Sequence, residues 1–537
     1  MSLDRPDRFR RRYLEAETGT LVKTGHCPLE VGLVALSPYE TAMSSLGGQT
    51  VYRLFNELEG ARCERLVRFD RPRSGAIWVS LESGRAAAEF PVLAFSISYE
   101  QEMLELVRFL QENRITPRSA DRGEGDPLLL AGGPVVSSNP EPVAPFLDVC
   151  GIGDAEILVP SLAANWLAAY GAGWTRRLLL ETLAGQEGFY VPGLYRLDGV
   201  SGSYPVLPRP AGQAVPVRVG RATADVGRSP AFSVIVSRLA HFRDMHLVEV
   251  ARGCRWNCRF CLVCRINRPY RPAETGRVIE LIEAAPAAAG AIGLVGANLC
   301  DHPELARIAA AVAASGRRLG TSSLRVGSVD RELLTVLKRC RVESLTLAPE
   351  TASAELLARI GKSYRQEELF ETVRLAAEAG FRGLKLYYMI GLPGETAKHR
   401  RELVEQVRLL AGTTGNRLRL KISVNPFIPK PQTAWQDESM LRPGEIKRLL
   451  RELRKGIRQD APGVQLQHDP PAEAVSQAAL SLGDRSFAQP LEMAAAGAGH
   501  LLDCLGRSGI DLEPVLYSRK KPAAEHPWSV LESGFSR

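Results

Sequence analysis

The 537-residue chain lacks any run long and apolar enough to span a membrane. Its longest uncharged apolar stretch, Ala284–Ala297, is short and broken by Pro286, Gly290, Gly293 and Gly296, which suits a helix–turn–strand. No apolar segment follows the charged start (Asp4, Arg5, Asp7, Arg8, Arg10, Arg11, Arg12), so no secretory signal is read and the expected location is cytoplasmic. Without an export route the ten cysteines are expected as reduced thiols or metal ligands, not as a disulfide framework. A dominant charge is lacking too. Lys and Arg number 68 against 60 Asp and Glu, and the two signs are intermixed, so nucleic acid is not indicated as a partner. With 48 Gly and 35 Pro, collagen-like and wholly disordered chains are excluded. There is no internal repeat and no low-complexity tract. Two phosphate-binding fingerprints also fail. Gly361-Lys362-Ser363 has Leu356 where the first glycine must stand, and Gly151-x-Gly153 has Glu156 in place of the third.

What is present is an α/β pattern in two series, on a chain long enough for several domains. After a polar leader (1–29), residues 30–185 alternate strands, such as Val31–Leu36 and Val92–Ser98, with helices, such as Gln101–Asn113 and Ala155–Tyr170. This predicts a doubly wound parallel sheet whose ligands sit beyond the strand carboxyl ends, where Ser96, Ser98, Gly132, Gly133, Gly151 and Gly153 fall. Residues 186–240 dissolve into Pro, Gly and Ser and read as a linker with a few short strands. A second series over 241–440 has strands at His246–Arg252, Ala291–Gly296, Arg318–Ser323, Glu343–Ala348, Leu384–Ile390 and Leu418–Val424. Six βα units of this kind predict a partial barrel. From 441 to 537 the chain is mostly helical. Ile446, Leu449, Leu450, Leu453 and Ile457 form an apolar stripe there, on a helix otherwise covered by Lys and Arg.

The sharpest signal is Cys254-Arg-Trp-Asn-Cys258-Arg-Phe-Cys261, directly after the strand His246–Arg252. With Cys264 added, four sulfurs could close a zinc knot. With three, the loop would hold a [4Fe–4S] cluster that leaves one iron open. Structural zinc motifs bring cysteines in two separated pairs, so a single loop at a strand end favours the cluster. A non-catalytic electron carrier would need Cys264 as fourth ligand.

This loop, with Phe260 before the third cysteine, resembles the signature of the radical S-adenosylmethionine (SAM) superfamily. The resemblance continues through Ala348-Pro-Glu350-Thr351, Met389-Ile-Gly391-Leu-Pro-Gly394-Glu395-Thr396 and Val424-Asn-Pro426-Phe-Ile-Pro429-Lys-Pro431. The subgroup it is most similar to carries an N-terminal cobalamin-binding-like domain, and the tail Pro527-Trp528-Ser-Val-Leu-Glu-Ser-Gly-Phe-Ser is also similar. The resemblance implies Cys254, Cys258 and Cys261 as cluster ligands and SAM chelating the open iron. Reductive cleavage would then give methionine and a 5′-deoxyadenosyl radical. It implies a low-potential electron donor such as a flavodoxin or ferredoxin. It also implies SAM contacts at Phe260, Gly296, Arg325, Glu350, Gly391 and Gly394. Four of these have a plainer alternative: a buried structural carboxylate for Glu350, a surface arginine for Arg325, turn chemistry for Gly391 and Gly394. Cys300 could donate hydrogen or bind metal, or be a packed thiol like Cys264. Cys27, Cys63, Cys150, Cys340 and Cys504 read as buried thiols, and His399 as exposed. The six small residues at the first domain's strand ends would carry cobalamin, although the Asp-x-His-x-x-Gly motif of many cobalamin domains is missing. The function so implied is cobalamin-dependent methyl transfer to an unactivated carbon. The alternative is a cobalamin-independent sulfur insertion, rearrangement or oxidation.

Overall fold

Near-continuous apolar runs such as Val92-Leu-Ala-Phe95 suit strands buried on both faces, and they build the centre of the first sheet. The computed structural model describes residues 6–71, 75–198, 204–212, 215–414, 417–521 and 524–532. The strands are β1 (Leu29–Val34), β2 (Ala61–Arg71), β3 (Gly75–Ser80), β4 (Val92–Ser96), β5 (Leu128–Gly132), β6 (Val149–Gly151) and β7 (Phe189–Tyr190). They lie in the order β3-β2-β1-β4-β5-β6-β7. The inner five are parallel, and β3 and β7 are antiparallel edges. The chain turns one way from β1 to β2 and the other way from β1 to β4. That reversal opens a crevice at the strand carboxyl ends. The helices Leu46–Glu57, Glu102–Glu112 and Ala155–Ala172 pack on this sheet, the first capped by Ser45, whose Oγ accepts from Gly48 N.

The second series forms two parallel groups. One is β8 (Met245–Glu249), β11 (Ala291–Val295) and β12 (Arg318–Thr321). The other is β13 (Ser344–Glu350), β14 (Gly383–Ile390), β15 (Arg419–Pro426) and a short β16 (Gln465–Gln467). A single parallel bridge, Leu324 to Leu347, joins the groups into a partial barrel. Between Leu347 and Glu350 the β13–β14 register shifts, where Pro349 has no N–H to give the ladder. The expected strand His246–Arg252 is interrupted after Glu249. Ala251–Arg252 (β9) pairs antiparallel with Arg271–Pro272 (β10), so the cysteine loop leaves and returns through a two-stranded stem. The helix Pro443–Asp460 buries its apolar stripe and leaves Lys447, Arg448, Arg451, Arg454, Lys455 and Arg458 exposed.

Four expectations need correction. The polar leader, read with no element of its own, carries structure from residue 6 on. Pro6–Leu14 is a helix, and Glu17–Thr18 pairs with Val236–Ser237. The reason is Arg65, buried in β2, which takes Glu17 and Glu82 at 2.7 Å each because a buried guanidinium must be paired. The described part of 186–240 has the few short strands expected, but it is packed on its neighbours. It supplies β7, the hairpin Tyr195–Asp198/Leu207–Pro210 and the buried Ala222, Ala224, Val226 and Ser233, whose small side chains let the backbone lie close to its neighbours. His399 is buried, with Nδ1 accepting from Thr396 N of its own helix start and Nε2 3.4 Å from Glu355. Cys27 is half-buried, whereas Cys63, Cys150, Cys340 and Cys504 are buried as expected. Asp4 and Arg5 at the start and Ser533–Ser536 of the tail motif lie outside the described residues.

Candidate active site

The cysteine loop is anchored on three sides. Phe260 packs against a small separate core of Leu356, Leu357, Ile360, Leu392, Phe427 and Trp435. The backbone is tied by Arg259 N to Ile360 O at 2.9 Å and by Trp435 N to Arg259 O at 3.2 Å. Trp256 lies under the Arg325 guanidinium, whose carbon is 3.5 Å from the ring centroid, and donates from Nε1 to Asp301 Oδ1 at 3.0 Å. Arg325 is therefore no surface arginine. It is buried and also donates to Ser363 O at 3.0 Å.

Cys254, Cys258 and Cys261 are half-buried in this loop, and Cys264 is fully buried. The Cys264 thiol is turned inward on the carbonyls of Cys261 (3.1 Å) and Cys258 (3.6 Å). The closeness of the two sulfurs holds the Cys261 thiol below its usual range and pushes the Cys264 thiol up. Burial pushes Cys258 up to about 11, against the pull of Lys362 and Arg325 beside it. Burial also raises Cys254. Among the described residues, no three His, Cys, Asp or Glu side chains are gathered to hold a single metal ion. Ligands of an iron–sulfur cube each meet a different iron and need not converge, so three thiols in one anchored loop fit a cluster.

Around the loop the structure places polar groups with nothing to bind. Both side-chain atoms of Asn298, Oδ2 of Asp301 and the hydroxyl of Tyr270 are buried without a hydrogen-bond partner. Asp301 and Tyr270 are near enough to Cys254 to act on it electrostatically. Buried polar atoms of this kind are free to take a water, an ion or a ligand. They suit the amino-acid half of SAM, which offers both donors and acceptors. Gly296 lies just before Asn298, and its carbonyl accepts from Ser322 Oγ at 3.2 Å. Glu350 ends β13 at φ +69°, a conformation costly for a residue with a Cβ. Its carboxylate takes Lys362 Nζ at 2.9 Å, in a pair beside Cys258. Lys362 belongs to the Gly-Lys-Ser run discarded as a phosphate loop, and its spacing gives no signal for this role. Cys300 is half-buried, pushed up to about 11 by burial.

Gly391 and Gly394 are explained by the chain itself. Both have positive φ (+73° and +83°), and a Cβ would stand 2.5 Å from Leu441 Cδ1 and 1.8 Å from Arg359 Nη1. Gly394→Ala is expected to cost about 1–3 kcal/mol through backbone strain, read as a lower apparent melting temperature at unchanged iron content. An unchanged melting temperature would mean the turn relaxes at no cost.

A cavity of about 450 Å³ lies between the two sheets. All six small residues singled out in the first domain (Ser96, Ser98, Gly132, Gly133, Gly151, Gly153) line it, and Ile266, Asn267 and Val295 close it from the barrel side. Gly133 and Gly153 are required by the fold, since φ is +102° and +121° and a Cβ would meet Ile97 O at 2.6 Å and Ala222 O at 2.1 Å. Gly132 and Gly47 are not so required. Their nearest neighbours to a Cβ are Gly151 O at 3.6 Å and Ser96 Oγ at 3.9 Å, so glycine there leaves open space in the cavity. The lining holds no His, Cys, Met or Lys. At its barrel edge stand Asp154, Glu156, Glu249 and Arg252. Burial alone would raise the Asp154 carboxyl, but Arg252 and Arg271 hold it below the usual range.

Residues 47–192 match the family model of the N-terminal domain of radical SAM proteins, and residues 248–407 match that of the radical SAM superfamily. An uncharacterized protein of Methanocaldococcus jannaschii is 24% identical over 418 residues, 77% of this chain and 82% of that one. The heme chaperone HemW of Bacillus subtilis is 38% identical over 68 residues, 13% of this chain and 18% of that one. Among solved structures, the radical SAM methyltransferase TsrM of Kitasatospora setae aligns at a TM-score of 0.48 and 14% identity, covering 76% of this chain and 75% of that one. The cobalamin-dependent SAM radical enzyme OxsB aligns at a TM-score of 0.49 and 14% identity, covering 87% and 66%. No helix among the described residues is long and apolar enough to cross a membrane. With both domain models matched in sequence, together over more than half of its length, and the cysteine loop inside the second, the chain belongs to the radical SAM superfamily.

Proposed function

We propose that this radical SAM enzyme uses cobalamin held in the cavity between its two sheets, and methylates an unactivated carbon. The observation that carries the reading is the cavity itself. It sits at the carboxyl ends of the first sheet, is cradled by glycines that packing does not demand, and is closed on the far side by residues of the cysteine loop. When bound, the cluster and SAM supply a one-electron reduction that yields a carbon radical, and cobalamin supplies a methyl carrier.

The chain's own residues have definite tasks in this scheme. Cys254, Cys258 and Cys261 hold the cluster, and Cys264 keeps its thiol on the loop carbonyls. Lys362 and Arg325 set positive charge beside the thiolates, which eases their ionisation. Asn298 and Asp301 offer unpaired polar atoms to the ends of SAM. Glu350 offers a carboxylate already oriented by Lys362. The first domain covers the barrel mouth and keeps bulk water from the reacting carbon. The required electron comes from an external low-potential carrier such as a flavodoxin or ferredoxin.

Corrinoid content after anaerobic purification from cobalamin-supplied cells tests the reading, measured as dicyanocobalamin absorbance per chain. Near one equivalent is expected. A value near zero at full cluster iron would overturn the cobalamin step. The first domain would then be a substrate domain, and the chemistry a cobalamin-independent sulfur insertion, rearrangement or oxidation.

A further inference from the structure

We propose that Asp154 and Glu156, carboxylates of the first domain, are positioning residues for the radical centre, acting through Arg252 and Arg271 on the stem of the cysteine loop. The proposal rests on the reading of Cys254, Cys258 and Cys261 as cluster ligands.

The stem consists of β9 and β10, and its register sets Arg252 directly opposite Arg271. Like charges opposite each other on a two-stranded ribbon repel. Nothing in the ribbon lies between them. The group that does is Asp154, whose two oxygens take Arg252 at 3.0 Å and Arg271 at 2.6 Å. Glu156, the second residue of the helix that Asp154 precedes, takes both terminal nitrogens of Arg252 at 3.0 and 2.8 Å. Glu249, in the barrel's own strand, already neutralises Arg252 at 2.8 Å. Glu249 leaves Arg271 unmatched, and Asp154 from the other domain matches it, so charge balance does not account for the third carboxylate, Glu156, or for Asp154 spanning both arginines. Closing the stem does. The side chains of all five are at most 15% exposed, so water does little to screen them.

The position of the clamp is what ties it to chemistry. Arg252 stands two residues before Cys254, and Arg271 closes the same loop on its far side. Asp154 and Glu156 open the helix that follows β6, and both line the cavity. The geometry of the loop is thus fixed by residues that neither bind the cluster nor touch SAM. Loosening the clamp is expected to leave the ligands in place but to shift how SAM seats on the open iron.

The test uses full-length, anaerobically purified protein. Wild type is measured first for iron and for the change SAM makes in the electron paramagnetic resonance spectrum of the reduced cluster. Wild type without iron would defeat the cluster reading itself, and the proposal with it. Given a loaded wild type, Glu156→Gln and Arg252→Gln are each expected to keep full iron. Each should reduce the SAM-induced spectral change and raise the KM for SAM about fivefold or more, with the double variant no worse than either single, as for one shared interaction. Asp148→Asn is the control. It breaks a comparably buried ion pair of the first domain, with Arg122 and Arg176, that has no link to the loop. It should leave spectrum and KM at wild-type values even where it lowers the melting temperature. Spectra and KM unchanged in the clamp variants, effects that simply add in the double variant, or the same shift in Asp148→Asn would each overturn the proposal.

Discussion

Cys258→Ala is expected to abolish both cluster iron and reductive cleavage of SAM, whereas Cys264→Ala keeps the iron and most of the activity. The two sulfurs are six residues apart in one loop, so the contrast is not one of location. It comes from what each thiol already does. Cys264 is buried and spends its hydrogen on the carbonyls of Cys261 and Cys258, so it acts as a strut. Cys258 makes no such bond, is half-buried, and has the Lys362 ammonium near enough to offset part of the burial that disfavours its thiolate. Iron and acid-labile sulfide assays, with 5′-deoxyadenosine measured under dithionite, separate the outcomes. If both variants lost iron equally, four sulfurs would hold the metal, no iron would be open to SAM, and an electron carrier would be the better description. Removing the strut should loosen the loop that holds Cys258 and Cys261, because their carbonyls lose the thiol that ties them. Slower cluster reconstitution in Cys264→Ala is the measurable sign.

The sequence made the architecture legible wherever a period or a fixed spacing carried the information. Parallel strands buried on both faces read as unbroken apolar runs, and Val92–Ser96 and Leu29–Val34 appear within or beside Val92–Ser98 and Val31–Leu36, where the pattern puts them. The three cysteines are legible because their spacing is local. What stayed hidden depends on contacts between distant residues. Lys362 next to Cys258, Trp256 under Arg325, and Asp154 between two arginines each join segments whose approach no local pattern records. The leader misled for the same reason. Its polarity suggested no element of its own, and the partner that orders it, Arg65, lies in another element. His399 misled because its neighbours in sequence are charged, while its ring turns back to cap its own helix. The glycines divide in an instructive way. At Gly391 and Gly394 the positive φ of the turn already calls for glycine, whereas at Gly47 and Gly132 no such demand exists and the space beside them is open.

That division singles out Gly132→Leu as the decisive test of the cavity, with loss of corrinoid binding expected at full cluster iron. Gly133 and Gly153 cannot serve, because any side chain there strikes backbone and the fold would fail along with the site. At Gly132 a Cβ meets only Gly151 O, at 3.6 Å, so the backbone of β5 accepts it. The rest of the leucine then projects into the apolar cavity beyond. Filling empty space with an apolar group in an unstrained strand costs stability at most about 1–3 kcal/mol, well short of unfolding a domain of this size. A corrin needs that space, and a buried methyl group cannot be moved aside as water can. Dicyanocobalamin absorbance should therefore fall to background in the variant while SAM cleavage under dithionite persists, uncoupled from methyl transfer. Corrinoid content equal to wild type would place the cofactor elsewhere, and the cavity would then belong to the substrate. In that case Gly132→Leu should raise the KM for substrate and leave the KM for SAM unchanged, because the unpaired polar atoms proposed to meet SAM lie around the cysteine loop and not on β5.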